Sequence, residues 1–223
     1  MAPGAHTFLS WWTANVFPLE RRDRFLVFAG GILPDLDGLG LFFSLEAYLT
    51  YHHILCHNLF ACLGWVALVA LLARNRRVCV IQCALNWHLH LACDYFGSRA
   101  ADSPPWVLPY LFPLLGSWTG NDFNRGPRWY WNSWQWELNA WPNLVITLLG
   151  LLGWFYIAVR LDRTFLEFVW PRQDAIFCQR LRDLVGARRA IGWSEGETKA
   201  VRRGYLAILV VVFLACVVAA SKS

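Results

Sequence analysis

All six histidines of the chain, His6, His52, His53, His57, His88 and His90, lie in its first ninety residues, and three acids in apolar surroundings, Asp35, Asp37 and Asp94, share that half. Imidazole nitrogen and carboxylate oxygen, with no thiolate among them, suit zinc, manganese or iron in a hydrolytic or oxidative site better than a closed structural zinc site. His90 and Asp94 stand four residues apart, a spacing that puts both on one helix face, where they can grip a single ion. The stretch "YHHILCHN", Tyr51–Asn58, leaves a choice. His53 and His57 are also four apart, whereas His52 and His57 would diverge by about 140° on a regular helix. Either His53 and His57 act as the helical pair, or the helix begins near His53 and the preceding loop places His52. Asp35 and Asp37 flank a leucine after Pro34, in an extended or turn segment able to present both carboxylates to one centre or to bridge two. The possible ligands exceed what one tetrahedral ion needs, so one or two divalent ions are expected. His88, two residues from His90, points to another face, and nothing in the spacing of Glu46 or Glu137 singles them out as acid or base.

The elements that must position these groups are those of a membrane protein. Of 223 residues, 57% are hydrophobic and 16% charged, against about 25% charged in soluble domains. Fourteen tryptophans fit the bilayer interface, where an indole is half buried with its N–H wet. Ionisable groups at membrane depth are costly, so each histidine and aspartate there needs a partner or a function. Seven cysteines form no CxxC pair, and Cys62, Cys79, Cys83, Cys93 and Cys216 fall inside apolar runs, as small buried hydrophobes do. The net charge of +5 gathers in arginine clusters beside apolar segments, where charges set topology, which argues against a nucleic-acid partner. The N-terminal stretch has neither the basic region nor the cleavage site of a signal peptide.

A hydrocarbon core about 30 Å thick asks for about 20 residues. Ile54–Ala73, Val78–Phe96 and Asn143–Val159 come close to that length, and the shorter Tyr205–Ala220 follows. Thr7–Leu19 and Phe25–Leu33 are too short to span and are expected to form a helical hairpin with Glu20–Arg24 at its tip. The expected fold class is all-α, a polytopic membrane helical bundle with that short N-terminal hairpin and interfacial amphipathic helices. The chain reads as one membrane domain over 1–223. Residues 1–115 carry the metal site, and 116–142 form a Trp-rich outer interfacial segment. Residues 143–223 hold two further membrane helices around an amphipathic segment, 160–203. Loops rich in arginine stay in the cytoplasm, which places the Glu20–Arg24 tip, the 74–77 turn and 160–203 inside a cell or inner membrane. The histidines and Asp35, Asp37 and Asp94 then fall at the extracytoplasmic side, as does the connection from Gly97 to Pro142. There are no internal repeats.

Four pieces in order, an early His6, then Pro34-Asp35-Leu36-Asp37, then His52-x4-His57 at the head of an apolar helix, then His90-x3-Asp94, resemble the membrane-bound metal-dependent hydrolase family, which includes LexA-regulated inner-membrane proteins. That family's pattern runs as an early His, PDxD, HRxxTHS and HxxxD. The resemblance covers about residues 5–115. It implies that His52 rather than His53 is the ligand, beside His6, Asp35, Asp37, His57, His90 and Asp94. The chain departs from the pattern at His53, Cys56 and Asn58, where the family favours Arg, Thr and Ser. The ligand order is also similar to that of zinc-dependent phospholipases C and P1-type nucleases, which cut phosphate esters.

Such a site implies a metal-activated water acting on a lipid or lipid-linked ester at the outer interface, a phosphoester by the second analogy, with zinc as the expected ion and manganese or iron as substitutes. Asp35 or Asp37, left partly free, would orient that water or take its proton. Two other classes compete. One is a haem-binding electron carrier clamped by His57 and His90, which leaves the aspartates without a task. The other is a non-catalytic membrane scaffold that keeps the metal site.

Overall fold

The computed structural model describes residues 3–97, 109–115, 141–187, 199, 202–207 and 209–210. The Trp-rich segment 116–140, Glu137 and most of Tyr205–Ala220 lie outside the described residues. What is described is helical, with no strand among the described residues. The helices are α1 (Pro3–Asn15), α2 (Arg21–Gly30), α3 (Leu45–Tyr51), α4 (Leu59–Leu72), α5 (Arg76–Gly97), α6 (Trp141–Leu161) and α7 (Pro171–Leu184). A 3-10 helix runs from Leu33 to Phe42 and a second from Phe165 to Phe168.

The helices share two ends. At one, the α1–α2 turn meets the α4–α5 turn and the second 3-10 helix. Asp23 accepts from the backbone N–H groups of Arg74 and Asn75 (3.0 and 2.8 Å), and Arg74 pairs with Glu20. The buried Arg24 donates to the Leu19 carbonyl and grips both oxygens of Glu167 (2.7 and 3.0 Å). Arg163 donates to Asn15, and burial together with the nearby Arg24 charge lowers its pKa to about 10. Asp174 on α7 accepts from the Thr164 N–H and hydroxyl, which ties α7 to the end of α6, and burial raises its carboxyl. Arg21, Arg24, Arg74 and Arg163 all make their contacts at this end, and Arg202 lies over Phe17. The other end holds His6, Asp35, Asp37, His52, His53, His57, His90 and Asp94.

Between the ends, Trp11, Val27, Phe28, Val69, Cys79, Cys83 and Ile157 form the core, with Phe165 and Phe168 packed against it. The α1–α5 seam carries polar groups as well. Asn86 donates to Ser10 and to the Val27 carbonyl, Gln82 to the Thr13 carbonyl, and Thr13 to Tyr205, the cross-helix bonding that an apolar surround favours. Gly150 and Gly153 let α6 lie close on α1, since a Cβ at either would meet Phe8 or Trp12 at 2.8 or 2.5 Å.

Among the described residues one helix is long and apolar enough to cross a membrane, within Leu144–Leu161; α2 and the first 3-10 helix, bent by 63°, would make a second, broken span if read as one. The expected span Ile54–Ala73 is shorter than its apolar run. Residues 52–58 are turns and bends, and α4 starts only at Leu59 with 14 residues. Asn58 stops it there by accepting from the Ala61 N–H while its amide donates to the carbonyls of Ile54 and Leu55, an N-cap that also ties down the preceding loop. Over Val78–Phe96 the expected helix is present as α5, but Gln82, Asn86, His88, His90 and Asp94 make it too polar to count among the spans.

A candidate metal centre

Three local structures aim the donors. On α5, the four-residue spacing sets His90 and Asp94 side by side, Nε2 to Oδ2 2.9 Å. In the loop before α4, His53 adopts φ +69°, a left-handed conformation uncommon among residues other than glycine. His53 and His57 are therefore not a helical pair. In the first 3-10 helix, Pro34 sits in the first turn, where its missing N–H costs nothing. Asp35 and Asp37 were expected in an extended or turn segment. With three residues per turn they instead diverge by about 120° and serve different neighbours.

Asp37 faces the loop. Its Oδ1 accepts from His52 Nδ1 (2.8 Å), and its Oδ2 from His57 Nδ1 (3.0 Å) and the Cys56 N–H (3.0 Å). Gly38 passes so close to His52 that a Cβ would stand 3.4 Å from its Nδ1. Asp35 faces α5, its Oδ1 3.5 Å from His90 Nε2 and 3.9 Å from His57 Nε2. His6, on the first turns of α1, brings Nε2 to 2.9 Å from Asp94 Oδ1 and stacks its ring on His90 at 3.8 Å.

The decisive geometry lies between His57 and His90. His57 Nδ1–H donates to Asp37, and His90 Nδ1–H donates to the Gly31 carbonyl (2.8 Å). In its neutral form each ring would then carry its lone pair on Nε2. Those two nitrogens are 3.2 Å apart, and Asp94 Oδ2 lies 3.2 Å from one and 2.9 Å from the other. Three electron-rich atoms packed this closely in a buried site repel one another unless positive charge stands among them. Donors bound to a tetrahedral ion at about 2.0–2.1 Å lie about 3.3–3.4 Å from each other, close to the separations found here. Outer groups that fix an imidazole through its second nitrogen are the usual support of metal-ligating histidines.

Two buried groups thus could hold a metal ion: His6, Asp35, His90 and Asp94, and beside them His52, His53 and His57. His57 belongs to the second and touches the first. The residues expected from sequence are brought to one end of the bundle, although Asp37 stands outside both groups with its oxygens turned to histidines. His52 and His53, between which the sequence left a choice, occur together, with His53 Nε2 4.0 Å from Asp94 Oδ2. Gly31, whose carbonyl orients His90, was not singled out from sequence; the Gly30-Gly31 pair just before Pro34 is the signal, because a Cβ on Gly31 would meet Asn86 and Ser10 at 2.6 Å. His88 stands apart, its Nδ1–H on the Ala84 carbonyl and its Nε2 accepting from the Tyr110 hydroxyl. Glu46 lies exposed on α3. No family model matches the chain, and neither a curated protein nor a solved structure does.

Proposed function

We propose that this chain is an integral, multi-pass membrane hydrolase dependent on a divalent metal, of the membrane-bound metal-dependent hydrolase type, and that it acts on a lipid or lipid-linked ester, a phosphoester first, at the outer membrane interface. The observation that carries the reading is the convergence of His57 Nε2, His90 Nε2 and Asp94 Oδ2 within 3.2 Å of one another in the buried interior. His6, Asp35, His90 and Asp94, with His57, would hold the ion, and the mixed nitrogen and oxygen donors favour zinc. A bound zinc ion would supply Lewis acidity and acidify a coordinated water.

The chain's own residues do the rest. Asp37 orients His57 and His52 through their Nδ1 atoms, and Gly31 orients His90. Asp35 is the least enclosed acid of the cluster, with a side chain 26% exposed, and is placed to take a proton from an attacking water. The bilayer orientation follows from the arginines, with the basic end cytoplasmic. A haem carrier is disfavoured, since iron clamped between two imidazoles holds their nitrogens about 4 Å apart across a flat macrocycle, and 3.2 Å leaves no room for one.

Elemental analysis of detergent-purified protein tests the reading. The wild type should retain stoichiometric divalent metal, and His57→Ala combined with Asp94→Ala should lose it. A wild type free of metal, or a double variant that keeps it undiminished, would end the proposal.

A further inference from the structure

The first 3-10 helix has a second side. At three residues per turn, side chains three apart stack in columns. The Asp37–Gly40 column turns inward, with Gly40 packed so close to α3 that a Cβ would meet the Ala47 backbone at 3.0 Å. The Leu36–Leu39–Phe42 column turns outward, 46, 48 and 86% exposed, and Phe43 beside it is 88% exposed. A soluble protein would not leave four large apolar side chains in a row against water. The column begins next to Asp35, the one member of the cluster that is appreciably open.

Depth identifies what covers it. α4 rises about 21 Å over its 14 residues, from Asn58 beside the cluster to Ala73 beside Arg74. The hydrocarbon core is about 30 Å thick, so with the arginines at one interface the cluster stops short of the far headgroups and the ridge starts within the acyl layer. No lysine or arginine occurs from Phe25 to Ala73. Large leucines stand exposed on the apolar helices too, Leu63 and Leu71 on α4 and Leu148 and Leu152 on α6.

We propose that the Leu36–Leu39–Phe42 column, with Phe43, lies among the acyl chains of the outer leaflet and forms the lipid-side rim of the opening at Asp35. Resting on the hydrolase reading, this makes the substrate a bilayer-resident amphiphile that slides in sideways along the ridge and brings its polar ester to Asp35 while its chains stay in lipid.

The test uses the full chain reconstituted in phosphatidylcholine–phosphatidylglycerol vesicles, with photoreactive benzoylphenylalanine in place of Leu39 or Phe42, and of Glu46 as control. Illumination should give phospholipid adducts at 39 and 42 and not at 46. Adducts to a peptide of this chain or of another protein, or no lipid adduct at all, would overturn the ridge. In a second arm, Phe42→Ser combined with Phe43→Ser should cut hydrolysis of a vesicle-borne phosphodiester about tenfold, with metal content and hydrolysis of the soluble diester bis(p-nitrophenyl) phosphate unchanged; equal losses on both substrates would also overturn it. Absence of metal from the wild type would sink the hydrolase reading alone, because the adducts report on the ridge without it.

Discussion

His57 is engaged through both ring nitrogens, with Asp37 behind it and His90 and Asp94 in front. Its orientation therefore depends on a carboxylate that stands outside both donor groups. Asp37→Asn keeps the size but puts an amide N–H₂ where one imidazole N–H must be accepted. We expect metal affinity to fall 10- to 100-fold, as loss of such an outer partner does in other sites, read by competition with a chelator; unchanged affinity would remove Asp37 from that role. The pairing of His90 with Asp94 was legible in their four-residue spacing. The fate of Asp35 and Asp37 was not, because two residues apart means opposite sides of a strand, one side of a turn or a 120° divergence in a 3-10 helix, and only the packing of Gly38 and Gly40 decides among them. The loop His52–Asn58 was hidden for a like reason. Its apolar residues read as helix, while Asn58 as cap and Asp37 as acceptor for the Cys56 N–H win locally.

Helix seams carry the donors into register. α1 brings His6 to Asp94 only while it lies flat on α6, and that contact depends on Gly150 and Gly153. Gly153→Val would drive its side chain into Trp12, and overpacking of this kind costs about 1–3 kcal/mol. Thermal unfolding in detergent should show the loss. Gly64→Ala is the control, since nothing lies within 4 Å of its Cβ and the change should be neutral or stabilising. If both variants unfold at the wild-type temperature, the close α1–α6 approach is not what holds this seam. The α1–α2 hairpin was readable from two short apolar runs around a charged tip. Its clasp to the second 3-10 helix was not, because Arg24 and Glu167 are 143 residues apart and no local pattern links them.

Charge divides the bundle from end to end. Among the described residues, Arg21, Arg24, Arg74 and Arg163 meet at one extreme, and the acids Asp35, Asp37 and Asp94 stand at the other. That division predicts the topology. Cysteine introduced at Glu46 should react with a membrane-impermeant maleimide in intact cells, and cysteine at Arg77 only after lysis; the reverse pattern would turn the molecule over and move the donor cluster inside. The same division has an energetic consequence. In a living membrane, negative inside, each positive charge carried across to the outer face costs about 2.3 kcal/mol per 100 mV. On the membrane reading proposed above, an energised cell would act as a ratchet on insertion, holding the molecule in the orientation in which the arginines of its basic end first stayed behind.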